Sequence, residues 1–421
     1  MPQPWSITAK QFAEAGKDNI PKELQPHANL IYSSPATLAY NSPGAQGFGV
    51  KRAGLAVPES VMLLISPACC GRNTTALGRE HALADRFYYL LLDDTEIVTG
   101  RYLAKVPEAA REIVASRAVP PKAIMLCATC VDALLGTDMA RLCKLCEEAT
   151  GIPSAPCTMY ALTREGSLPP MVSVRQAIYS LLRKTAPMNS CNLLGFFSPV
   201  ESELPTLLRN AGFDAVREIS TCETYEEFQK MAGARWNLIL HPEARNAADD
   251  LAKRLGIPAL ELPRLTQIEK IQNLYRILAT TCNLELDWRS AMEEAQEAVA
   301  KFQDSHPHTT FAVGEWLNAD PFELSLALLR YGFRVSEIYG TVGSANFLYI
   351  RRIAALSPDT RIFSNLSPSM LFTATPAQAD ITIGRDAAYY SPNLPNIPWA
   401  SERQPFGFRA VHDLFQELLH L

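Results

Sequence analysis

The sequence predicts an α/β protein whose mostly parallel sheets are flanked by helices, and three observations carry that prediction. Short β-like runs alternate with helical patterns almost throughout. The stretch "EARNAADDLAKRLG" (243–256) ends in Gly256, a natural helix stop, and Ile257-Pro258 then opens the next extended run. Strand–helix alternation of this kind implies parallel sheets covered on both faces. Fresh strand starts after "RKTAPMNS" (183–190) and "DSHPHTT" (304–310) divide the pattern into three units.

The strand candidates in order are "VMLLIS" (61–66), "RFYYLLL" (86–92), "KAIMLCA" (122–128), "CNLLGFF" (191–197), "WNLILH" (236–241), "TFAVGEW" (310–316), "FRVSEIY" (333–339) and "ADITIG" (379–384). Helical patterns cover "VDALLGTDMARLCKLCEEAT" (131–150) and a long stretch from "RLTQIEKIQNLYRILATT" through "WRSAMEEAQEAVAKFQ". The predicted organisation is an N-terminal arm (1–28) and three α/β domains at 29–187, 188–305 and 306–421. The length of 421 residues suits several cores rather than one.

Composition narrows the function. Hydrophobic content of 48% and charged content of 20% are those of an ordinary globular chain. A net charge of −5 offers no broad basic field, so nucleic acid is not an expected partner. The N-terminal "MPQPWSITAKQFAEAG" lacks the features of a secretory signal, and no apolar run approaches the roughly 20 residues that span a bilayer. A cytoplasmic location without membrane attachment is expected, and with it reduced thiols.

Of the ten cysteines, six fall between positions 69 and 146, and that bias asks for a reason. Functional groups in open parallel sheets gather beyond the carboxyl ends of strands. Cys69 and Cys70 follow "VMLLIS", and Cys127 and Cys130 end or follow "KAIML", so two strands deliver two thiol pairs to one edge. Two readings stand: small buried side chains, or a thiolate site. The spacing of Cys127, Cys130, Cys143 and Cys146 mimics two zinc corners. The helical periodicity of the intervening "VDALLGTDMARL" argues instead that Cys143 and Cys146 are helix packing. "GAQGFGVKRAG" (44–54) lacks the ending of a phosphate-binding loop, and no hydrolase signature occurs. Among scattered histidines, His241 stands out because it ends the strand "WNLILH".

The order and spacing of "ISPACCGRNT", "DDTEIVTG" (93–100) and "LCATCVDALLGTDM" (126–139) resemble nitrogenase component 1 and its relatives. "CNLLGFFSP", "ARNAADDLAKRLGIP" and "FAVGEWLNADPFELSLALLRYGF" resemble the later domains of that family, so the likeness covers most of residues 30–421. The resemblance implies three Rossmann-like domains and an iron–sulfur cluster, of the 4Fe-4S type, held at the interface of two component 1-type subunits. Cys70 and Cys130 match its ligand positions best. Cys69 and Cys127 are neighbours able to substitute or support, and Arg72 adds positive charge nearby.

Two departures shape the expectation. Where the family has its first cluster cysteine, this chain reads "YNSPGAQGFG", with Ser42 and no cysteine. Where nitrogenase has the cysteine that binds its iron–molybdenum cofactor, this chain has Leu240 or His241. The simpler relatives, light-independent protochlorophyllide reductase and the nickel-tetrapyrrole reductive cyclase of methanogens, are the better analogues. The resemblance therefore implies a homodimer or heterodimer that takes electrons from an ATP-dependent iron protein and reduces a small-molecule substrate. A non-catalytic scaffold or partner subunit for metallocluster assembly is the alternative, and a metal-free ligand-binding protein a third. For His241 two roles stand: a catalytic residue lining the substrate cleft, or a cap on the helix beginning near Pro242.

Overall fold

The computed structural model describes residues 3–24, 35–36, 49–50, 52–68, 83–129, 135–158, 168–372, 377–401 and 403–421. It divides into two compact units, one of Pro43–Pro199 with Phe213–Pro263, the other of Met1–Ser42, Val200–Gly212 and Arg264–Leu421.

The first unit holds two four-stranded parallel sheets. One runs Phe87–Leu91, Ser60–Ser66, Ala123–Ala128, Ser154–Pro156 in spatial order. Its two central strands are buried along their whole length, because each face is covered. Val61, Leu63, Ile65, Ile124 and Leu126 meet the helices Tyr102–Ser116 and Met139–Thr150 through Val106, Ala110, Ile113, Leu142 and Cys146. On the other face Met62, Leu64, Met125 and Cys127 meet Val174 and Ile178 of the helix Pro170–Ser180. That helix belongs to the same core as Leu194, Ile239, Ala247 and Leu251, so one apolar cluster serves both sheets of the unit. The second sheet runs Ala259–Glu261, Trp236–Ile239, Ser190–Leu194, Ala215–Arg217, again parallel.

The second unit is built on a six-stranded sheet: Ile7–Thr8, Arg361–Phe363, Arg334–Tyr339, Thr310–Val313, Ile381–Ile383, Asn396–Ile397. Only Ile7–Thr8 is antiparallel, so the expected N-terminal arm contributes an edge strand, followed by the helix Ala9–Ala15. From Thr310–Val313 the chain steps outward to Arg334–Tyr339 and Arg361–Phe363, then returns to the other side. This makes a topological switch point beside the first strand. Phe302, Phe311, Phe333 and Phe415 interlock beneath the sheet.

All eight expected strands exist, mostly a residue or two shorter than read. Two helical expectations change. The pattern at 131–150 is not one helix: Gly136 takes φ +62° and Asp138 caps a helix that begins at Met139. The long stretch after residue 264 is two helices, Ile268–Cys282 and Arg289–Ser305, parted at Asn283 with φ +52°. The helix Arg245–Leu255 does end at Gly256, in the left-handed conformation expected of such a stop. No helix among the described residues is long and apolar enough to cross a membrane.

Candidate functional site

The carboxyl ends of three strands meet at one edge of the first sheet. Register places Ile65 beside Ala128, the Thr129 N–H donates to the Ile65 carbonyl at 3.3 Å, and the Leu92 N–H donates to Ser66 at 3.1 Å. The Tyr89 hydroxyl lies 2.8 Å from the Pro67 carbonyl and 3.1 Å from that of Ser66. The acidic segment after Leu92 forms the short helix Asp94–Thr99, closed by a reciprocal Asp93–Glu96 capping box and by Gly100 at φ +69°. Cys69 and Cys70 follow the first of these strand ends in sequence, and Cys130 follows the second. These three and Ser42 lie outside the described residues.

Cys127 is described, and it lies fully buried in the core with Met62, Met125 and Cys157. Strand alternation explains this: Cys127 shares a face with Met125, two residues before it, and that face packs on the helix Pro170–Ser180. At the edge itself the Thr129 hydroxyl is buried and has no hydrogen-bond partner among the described residues.

Cys143 and Cys146 pack inward from their helix, as the periodicity implied. Burial pushes the Cys143 thiol up to about 12 and that of Cys146 to about 11, which makes both unreactive at neutral pH. Among the described residues no three His, Cys, Asp or Glu side chains are grouped to hold a metal ion.

His241 stands at the equivalent edge of the second sheet, just past Trp236–Ile239. Its neighbour on the adjacent strand end is Gly195, which follows Ser190–Leu194 with φ +133°. A β-carbon on Gly195 would lie 2.7 Å from both the His241 backbone nitrogen and its Cβ, so only glycine lets the two strand ends sit this close. The Phe196 ring meets the imidazole edge-on at 5.7 Å. The His241 Nδ1 accepts from the Glu243 N–H at 3.3 Å, capping the turn Pro242–Ala244, and lies 3.5 Å from the Glu243 carboxylate. That carboxylate pairs with Arg175 at 2.8 Å. The Arg175 guanidinium is buried; it donates to the Gly195 carbonyl at 2.6 and 2.9 Å and to the Met171 carbonyl at 2.8 Å, and it lies over the Phe197 ring. Desolvation lowers its proton affinity, and Glu243 opposes that shift.

A further strand-end group went unread in the sequence. In the second unit Glu315, Thr341, Asn365 and Asp386 follow four neighbouring parallel strands around the switch point. The Asn365 amide bridges the carboxylates, at 2.7 Å to Asp386 and 3.5 Å to Glu315. Asp386 also accepts the Glu315 and Trp316 N–H groups, and Glu315 accepts that of Thr341. Desolvation pushes both carboxyls above their usual range. The legible signal was position alone: each carboxylate comes a few residues after an apolar strand.

Residues 45–331 match the family model described as nitrogenase component 1 type oxidoreductase. The chain is 25% identical over 342 residues to the nitrogenase iron-molybdenum cofactor biosynthesis protein NifE of Sinorhizobium fredii, covering 74% of this chain and 66% of that one, just under two thirds of its length. Solved structures of nitrogenase Cp1 at pH 6.5 and at pH 5 superpose with TM-scores of 0.69 and 0.64. They share 16% and 15% identity, over 97% and 96% of this chain and 95% and 90% of theirs. At that identity the structures speak for the fold alone, and the fold agrees with the family match. The chain belongs to the nitrogenase component 1 type oxidoreductases.

Proposed function

We propose that this chain is a component 1-type subunit that holds an iron–sulfur cluster at the first sheet's edge, with Cys70 and Cys130 as ligands. When bound, such a cluster supplies one-electron transfer at low potential. The observation that supports this site is the pairing of two strand ends whose following segments carry the cysteines, with the buried Thr129 hydroxyl, which has no partner among the described residues, just past one of them. A hydroxyl donor in that place suits thiolate or sulfide acceptors. Two cysteines leave a four-iron cluster short of ligands, so Cys69, Ser42 or a second subunit completes the set. Cys127, buried in the core, supports the strand. Electrons come from a separate ATP-hydrolysing iron protein, since this chain has no phosphate-binding loop. The substrate is a small molecule, and His241 faces it as proton donor.

The protein purified without oxygen should be brown and contain iron and acid-labile sulfide. Cys70→Ser or Cys130→Ser should remove most of the iron, and Cys143→Ser should not. A colourless protein carrying stoichiometric zinc would overturn the assignment. His241→Ala should keep iron content and assembly while lowering turnover by roughly 10²-fold or more. A change confined to about 1 kcal/mol of stability would reduce His241 to a cap.

A second reading has its own support, the similarity to NifE, described as a cofactor biosynthesis protein. On that reading the same edge serves a scaffold on which a metallocluster is built and passed on. Turnover with the iron protein marks the reductase. Transfer of a loaded cluster to an acceptor protein, without turnover, marks the scaffold.

A further inference from the structure

We propose that a cavity in the second unit, lined by Trp399, binds a small organic cation: an ammonium group carried on an apolar body. The cavity measures about 710 Å³, in the range of small-molecule sites, and all the residues that line it belong to that unit. It lies between the end of the edge strand Asn396–Ile397, the segment after it, and the last turns of the helix Gly407–Leu419. Trp399 holds φ +40°, where bulky side chains are rarely found. The Asn318 N–H helps hold it there by donating to the Trp399 carbonyl at 2.6 Å. An indole on the wall suits a cation, because the face of its ring attracts an ammonium group.

Acceptors prevail among the polar groups of the wall. The side-chain N–H groups of Asn318 go to the Ser401 and Arg403 carbonyls at 2.8 and 3.4 Å. Those of Asn396 go to the Thr382 and Gly384 carbonyls at 3.1 and 3.0 Å, which leaves its amide oxygen to offer. His420 gives its Nδ1 proton to the Gln416 carbonyl, so its neutral ring has an acceptor at Nε2. Glu201, Asp413 and Glu417 add three carboxylates. Glu201 pairs with Arg403 at 2.7 Å, and Asp413 with Arg409 and His412, each at 2.8 Å; none of these cations lines the cavity. Glu417 pairs with no cation among the described residues, and burial together with the nearby Asp413 pushes its carboxyl above the usual range. A ligand that satisfies this wall brings donors and positive charge. The carbonyl end of the helix Gly407–Leu419 favours the same sign.

The full chain titrated with benzylammonium, and with benzyl alcohol as a neutral molecule of like size, tests the site by ligand-observed magnetic resonance; neither cluster nor turnover enters the measurement. Benzylammonium should bind with a Kd of about 1 mM or below, and benzyl alcohol at least about tenfold more weakly. Trp399→Gly suits the φ +40° backbone and removes the indole, so it should weaken benzylammonium at least about tenfold. Glu417→Gln, at an exposed position, should weaken it about threefold or more and leave benzyl alcohol unchanged. Should Trp399→Gly not fold, Glu417→Gln still decides. No binding of benzylammonium below about 10 mM, equal binding of benzyl alcohol, or an affinity unchanged in either folded variant would overturn the inference.

Discussion

Gly195→Ala should damage the carboxyl edge of the second sheet. The residue has φ +133°, a region that side chains rarely enter, and holding a non-glycine residue in it costs on the order of 1–3 kcal/mol. The new methyl would also lie 2.7 Å from the His241 nitrogen and 2.7 Å from its Cβ, inside any normal contact distance. Overpacking of that kind adds about 1–3 kcal/mol, so the sum is roughly 2–6 kcal/mol. For a unit of this size each kcal/mol lowers Tm by about 2–4 °C. Urea unfolding and melting of the full chain would measure the loss. His241→Gly removes the Cβ contact but not the backbone one. The double variant should therefore recover part of the penalty, and a cycle should show coupling of about 1 kcal/mol or more. A loss below roughly 0.5 kcal/mol, or strict additivity, would mean that the strand ends separate easily and that Gly195 does not seat the imidazole.

Thr129→Val removes a buried hydroxyl that has no partner among the described residues, so protein free of iron should gain about 1 kcal/mol in urea unfolding. If the proposed cluster lies at this edge, the same change in iron-loaded protein should lower the reduction potential, because a donor toward its sulfur ligands would be lost; an unchanged potential would place the cluster elsewhere. Burial raises the Cys143 thiol from 9.0 to about 12, so between those limits the folded chain keeps a proton that the unfolded chain loses. Its contribution is full below about pH 9 and fades as pH rises toward 12, and Cys143→Ala should flatten that fall in the urea midpoint. Glu203 accepts the Tyr275 hydroxyl at 2.6 Å and the Phe408 and Arg409 N–H groups at 2.8 and 3.0 Å, capping the helix Gly407–Leu419, whose own N-cap Phe406 supplies no side-chain bond. Glu203→Ala should cost about 2–4 kcal/mol, and a loss under 1 kcal/mol would show that water replaces the carboxylate.

The strands Ser60–Ser66, Ala123–Ala128 and Trp236–Ile239 were legible in the amino-acid order, because burying a strand requires a local run of apolar residues. The sequence also places His241 just past the end of a strand, since position along a strand is a local property. The stop at Gly256 was readable for the same reason. Strands as short as Ile7–Thr8 and Asn396–Ile397 were not readable. Their pairing comes from a distant partner, Arg361–Phe363 for the first and Ile381–Ile383 for the second, and not from their own composition. The break at Gly136 was hidden because apolar periodicity resumes across it. Packing in three dimensions turns Cys127 into the core, since one residue of register chooses the face. Only it decided that Arg175, far from His241 in sequence, anchors the carboxylate beside the ring. A buried guanidinium is stabilised by whichever carbonyls and carboxylate the packed sheets bring within 3 Å, and that proximity exists only after the strands have paired.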